Sequence, residues 1–156
     1  KNIIKYFIIN ESNYWSKRVP KVKNIIEKVL KNPLHFTNKK CKKYEINFLL
    51  TNNKKIKFLN KKYRNIFKPT DILTFSSLQK IDNNENIKLC DIVLSAEFIK
   101  KDSLKMNIDF YDRLTHLIIH GLLHNNGYKH DTFNQRKKMN FLEKNILKNL
   151  NIKYLK

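Results

Sequence analysis

Glycine is nearly absent from this sequence, with two in 156 residues beside three prolines and two cysteines. So little glycine and proline excludes a collagen-like repeat or a Pro/Gly-rich linker. Cys41 and Cys90 cannot build a disulfide framework, and with no C-x-x-C pair they do not suggest a thiolate metal site; both read as reduced thiols of a cytoplasmic protein. Long hydrophobic runs are missing too. The opening KNIIKYFIIN is basic then apolar, but Lys5 and Glu11 leave it too short for a signal peptide or a membrane span, so it reads as a strand. Acidic residues are the scarcest charge: 13 Asp+Glu face 33 Lys+Arg, a formal +20. Such a balance suits a polyanionic partner, nucleic acid above all. Lys, Asn and Ile crowd the whole chain, however, as an A+T-rich genome would impose, so charge supports an RNA partner without establishing one.

What is present fits one domain over residues 1–156, with no repeat, linker or separate tail. Hydrophobic spacing predicts strands at 3–9, 44–50, 71–76 and 89–95, the last two joined by a polar loop through 80–88. Helices are expected at 19–31, 54–64 (with Thr51 as its N-cap), 96–106, 109–125 and 132–149. Four strands with segregated helices make an α+β domain: a four-stranded mixed sheet and about five helices.

Four of the five histidines fall in the segment HLIIHGLLHNNGYKH, residues 116–130. His116, His120 and His124 recur every fourth residue and share one face of a helix. Two imidazoles so spaced can grip one ion, and a third ligand must approach from another direction. His130 suits that place, because Gly127 should end the helix in a left-handed turn and bring the chain back. Three neutral imidazoles leave a fourth position for water, the pattern of a catalytic zinc site, where the water's pKa would fall toward about 7. Both glycines lie here; Gly121, costly inside a helix, signals close backbone approach. His116 reads as a core residue and His35 as a surface one. In H-E-x-x-H peptidases a glutamate follows the first ligand, but here that place is Gly121, which argues against peptide hydrolysis.

HGLLHNNGYKH closely resembles the H-G-x-L-H-L-x-G-Y-D-H signature of the YbeY family of bacterial rRNA-maturation endoribonucleases. LNKKYRNIFKPTDILTFS at 59–76 and LCDIVLS at 89–95 are similar to two further blocks of that family, in the right order and spacing. The resemblance implies a zinc-dependent, single-strand-directed endoribonuclease acting on the 16S rRNA 3′ end and in ribosome quality control. It implies His120, His124 and His130 as ligands of one Zn²⁺ per chain and Arg64 as the active-site arginine. Independently, a guanidinium at Arg64 could bind two nonbridging phosphate oxygens at once, as phosphoryl chemistry requires.

Three departures stand out. Lys129 replaces the aspartate before the last histidine, with Asp131 following it; Asn125 replaces a leucine and should expose that position; Cys90 replaces a glycine in a strand. Thr70 and Asp71 read as turn residues, Asp91 and Ser95 as able to reach the site or solvent, and Tyr128 as core or base-stacking. The alternatives to an RNA-cleaving enzyme are a non-catalytic ribosome-associated RNA-binding factor with a structural zinc, and a zinc hydrolase of another substrate. The oligomeric state is open.

Overall fold

The structure, a computed structural model, describes residues 2–82 and 85–153, with only the backbone of Asp82. Its strands are β1 (Ile3–Asn10), β2 (Lys43–Thr51), β3 (Ile72–Asp82) and β4 (Glu85–Ser95). They form one sheet in the order β1-β2-β4-β3. β1, β2 and β4 run parallel and β3 antiparallel to β4, giving the mixed four-stranded sheet expected. Among the described residues five α-helices accompany it: α1 (Val19–Leu30), α2 (Asn53–Arg64), α3 (Ala96–Met106), α4 (Phe110–Asn125) and α5 (Phe133–Asn149).

Strand alternation sorts the side chains into two layers. Tyr44, Ile46, Phe48 and Leu50 of β2 and Cys90, Ile92 and Leu94 of β4 are buried on one face. Ile46, Phe48, Leu50, Cys90, Ile92 and Leu94 pack with residues of α1, α4 and α5 in the main core. On the opposite face Leu73 and Val93 meet Ile56 of α2 in a much smaller cluster. α4 is the central helix, with Leu114, Ile118, Ile119, Leu122 and Leu123 all buried. It starts where Asp109 accepts hydrogen bonds from the Tyr111 and Asp112 amides. α4 lies against the sheet at Gly121, where a Cβ would come within 3.0 Å of Ile72 Cδ1 and 3.1 Å of Thr74 Cγ2. The close approach read from the sequence is therefore real, and it offsets the helix cost of glycine.

Two boundaries differ from expectation. The α2 cap is Asn52, whose side chain accepts from the Lys55 amide; Thr51 is still in β2, paired with Ser95. The described part of the polar stretch at 80–88 is strand, not loop, since β3 runs on to Asp82 and β4 begins at Glu85; residues 83–84 lie outside the described residues. Leu78 and Ile81 stand about half exposed there. This end of the hairpin pairs Leu78 with Lys88 and Lys80 with Asn86. Backbone pairing holds it without the apolar alternation that marks a half-buried strand.

Candidate metal centre and phosphate cleft

The site begins with the way α4 stops. Gly127 adopts φ +95°, a conformation costly for a residue with a Cβ. The Gly127 amide donates to the His124 carbonyl at 3.0 Å and the Tyr128 amide to Leu123 at 3.1 Å, the paired bonds of a Schellman turn. Asn126 ties the turn down, donating to the His35 carbonyl at 2.9 Å and accepting from Asn38. Beyond the turn, Arg136 of α5 donates to the carbonyls of His130 and Asp131. A capping box of Thr132 and Gln135 then starts α5. These bonds return His130 to the end of α4, where the ligand nitrogens of His120, His124 and His130 lie within 4.8 Å of one another.

His116 takes no part in that cluster. Its Nε2 lies 2.7 Å from Glu143 Oε1, while Glu143 Oε2 lies 2.5 Å from His120 Nδ1. A carboxylate only accepts, so His120 donates from Nδ1 and keeps the Nε2 lone pair for the cluster. A carboxylate behind a histidine in this way fixes its ring and tautomer for metal binding. Glu143 is 3 % exposed. Burial alone would push its carboxyl up, but hydrogen bonds from His116 and His120, with their charge, hold it down at about 2. His124 is lowered to about 4, first by burial and then by the charges of His120 and His130. It is therefore neutral, as a ligand must be. Convergent imidazole nitrogens with a backing carboxylate suit a divalent first-row ion such as zinc.

Arg64, far away in the chain, reaches the same place. A cleft of ≈ 390 Å³ is walled by Arg64, Thr70, Asp71, Thr74, the three histidines and Asp131. Asp71 has structural partners as well. Asp71 accepts from Arg113 at 3.2 Å and from the Ile72 amide at 2.7 Å, so it is both a turn residue and a cleft wall. Arg113 also reaches Asp102 of α3 and lies 3.4 Å from His116 Nδ1. A line of polar side chains thus runs from the cleft wall through Arg113, His116 and Glu143 back to His120.

The remaining sequence candidates lie elsewhere. Asp91 is exposed on the α2 side of the sheet, where it accepts from Asn47, and Ser95 is buried against Asn53. Neither lines the cleft. His35 is half-buried and edge-on to Phe36 rather than a plain surface residue. Tyr128 packs against the main core. Asn125 reverses its expectation: it is 4 % exposed, and its Oδ1 has no partner among the described residues. The leucine-to-asparagine exchange put a polar amide into the core instead of opening the position. Lys129 is exposed, and Arg136 anchors the His130 and Asp131 carbonyls in the turn beyond it.

Glu143 was not among the sequence candidates, although the signal was there. It is the one acidic residue of α5, spaced with Met139, Ile146 and Leu147 on the buried stripe. A lone carboxylate on an apolar stripe calls for a buried partner.

A family model described as "Endoribonuclease YbeY" matches residues 7–151. The endoribonuclease YbeY of Pelagibacter ubique is 37% identical over 141 residues, covering 88% of this chain and 90% of that protein. That of Bartonella henselae is 33% identical over 147 residues, covering 94% and 92%. A solution structure from Thermotoga maritima shares the fold, with a TM-score of 0.55 and 24% identity over 94% of this chain and 92% of its own.

Proposed function

The chain belongs to the endoribonuclease YbeY family, and from that premise we propose that it is a single-domain nuclease of RNA working with one zinc ion held by His120, His124 and His130. The observation that carries this reading is the shared cleft, in which Arg64 stands with three histidines whose first member is backed by Glu143. A bound ion there would supply Lewis acidity and a more acidic water. The chain's own residues supply the rest. Arg64 offers a planar fork to the nonbridging oxygens of the scissile phosphate, where negative charge grows toward the transition state. Glu143 and His116 hold the His120 ring in one orientation, and Asp71, anchored by Arg113, stiffens the opposite wall.

Single-stranded rRNA precursor is the substrate this reading names, with action at the 16S rRNA 3′ end, in ribosome quality control and in the cytoplasm. The open cleft and the +20 charge suit a flexible polyanion. Among the described residues no helix is long and apolar enough to cross a membrane.

The test pairs elemental analysis with cleavage of single-stranded RNA. Untagged protein should carry about one zinc per chain. His124→Ala should lose the metal and cleavage while keeping the salt dependence of RNA binding. A zinc-loaded wild type that never cleaves above the His124→Ala background would leave an RNA-binding factor and overturn the enzyme.

A further inference from the structure

We propose a second RNA contact, resting on the nuclease reading above: Phe67 and the lysines of α2 form a stacking platform for an unpaired base next to the nucleotide in the cleft.

Three observations carry it. Phe67 is 64 % exposed, yet it is not bare, with Lys57 Nζ 4.3 Å and Lys61 Nζ 4.7 Å from its ring centroid. An exposed ring with cations over it matches what single-stranded nucleic acid uses: a π face for the base and ammonium groups for the phosphates beside it. The charge around it is also of one sign. Residues 53–68 hold seven Lys and Arg and no Asp or Glu. Lys54 and Lys55 even stand in the first turn of α2, where the helix dipole disfavours cations, whereas α4 carries Asp112 in its first turn. Helix stability alone does not select that arrangement.

Position is the third observation. Phe67 is three residues after Arg64 and three before Thr70, both of which wall the cleft. Its backbone is thus within roughly 11 Å of either wall, the reach of three extended residues. The turn is held in place. Asn65 takes a left-handed conformation, and the buried Asn60 donates from Nδ2 to the Lys68 carbonyl at 2.9 Å. A backbone held in this way lessens the freedom lost when a base stacks on the ring. A strand whose phosphate meets Arg64 would lay its neighbouring base on Phe67, with Lys57 and Lys61 turning to the adjoining phosphates. Duplex RNA keeps its bases stacked inside and cannot use the platform.

The experiment uses a single-stranded RNA with 2-aminopurine placed at each position in turn. It is bound to the intact chain carrying His124→Ala, so that the RNA is not consumed. One register should be quenched on binding. Phe67→Leu should abolish that quench and weaken binding about 10-fold. Phe141→Leu, at an equally exposed phenylalanine of α5, should do neither. The Lys57→Gln, Lys61→Gln double variant should lower the slope of log affinity against log salt by about 1.4. The platform is overturned if Phe67→Leu keeps both quench and affinity, or weakens a matched duplex as much as the single strand. Cleavage by wild type separates the two ideas. A lost quench without any wild-type cleavage sinks the nuclease reading and leaves the platform. Cleavage with an unchanged Phe67→Leu does the reverse.

Discussion

The two faces of the sheet solve different problems. On the α4 face, polar groups are few and joined: the buried Glu143 holds the half-buried His116 and His120, and the half-buried Arg113 holds Asp71 and Asp102. On the α2 face the charges are many and exposed, and Ile56, Leu73 and Val93 make only a small core. A buried charge survives only when paired, so the first face is rigid by necessity and suited to holding a metal. Solvated lysines cost little and fix nothing, which suits a surface that must hold and release a flexible strand. Chemistry and recognition should therefore fail separately when each face is altered.

The largest expected break is at Glu143. Glu143→Gln can still accept from one histidine, but its amide nitrogen opposes the other N–H. Zinc affinity should fall 10- to 100-fold, measured by competition with a chelating dye, while RNA affinity in the same protein stays within a few-fold. Equal losses of zinc and RNA binding would deny the division between the faces.

Acid should act on the same buried group. The Glu143 carboxyl is held down from 4.5 to about 2, so its stabilising effect is whole above pH 4.5 and lost as pH falls toward 2. His124 is lowered from 6.5 to about 4, so the folded protein resists a proton that the unfolded chain accepts. Its penalty is absent above pH 6.5 and grows down to pH 4. Both signs agree, and the melting temperature of metal-free protein should fall steadily from pH 7 to pH 3. Bound zinc should delay the fall until protons displace it. A flat profile would contradict the buried pairing.

The smallest effect sharpens the contrast within the α4 face. Asn125 is a misfit there, buried with Oδ1 unpaired among the described residues. Asn125→Leu should raise stability by about 1–2 kcal/mol in chemical denaturation, with zinc content unchanged. A loss of stability would mean that the amide has a partner.

How much of this was legible depended on whether a feature had a local cause. The histidine cluster did, because i, i+4 spacing on a helix and a glycine turn are written within one segment. Gly121 and Gly127 behaved as their scarcity suggested, one for close approach and one for a positive φ. The end of the β3–β4 hairpin had no such mark, since exposed strand held by backbone pairing needs no apolar alternation. Nothing near Arg64 in the chain ties it to the histidines; resemblance pointed to it, and the fold brings it to their cleft. Asn125 was misjudged because polarity is not exposure: its neighbours Leu122 and Leu123 carry that turn of α4 into the core. Glu143 was missed although its place on the α5 stripe was visible, because its partners lie on another helix.

The central claim is that Arg64 and the three histidines are one reaction site, and single-turnover cleavage by Arg64→Lys tests it most directly. Lysine keeps the charge but loses the planar fork. The account predicts full zinc content, an unchanged melting temperature, RNA affinity within a few-fold of wild type and cleavage slower by about 100-fold or more. Cleavage at the wild-type rate from that protein would contradict it.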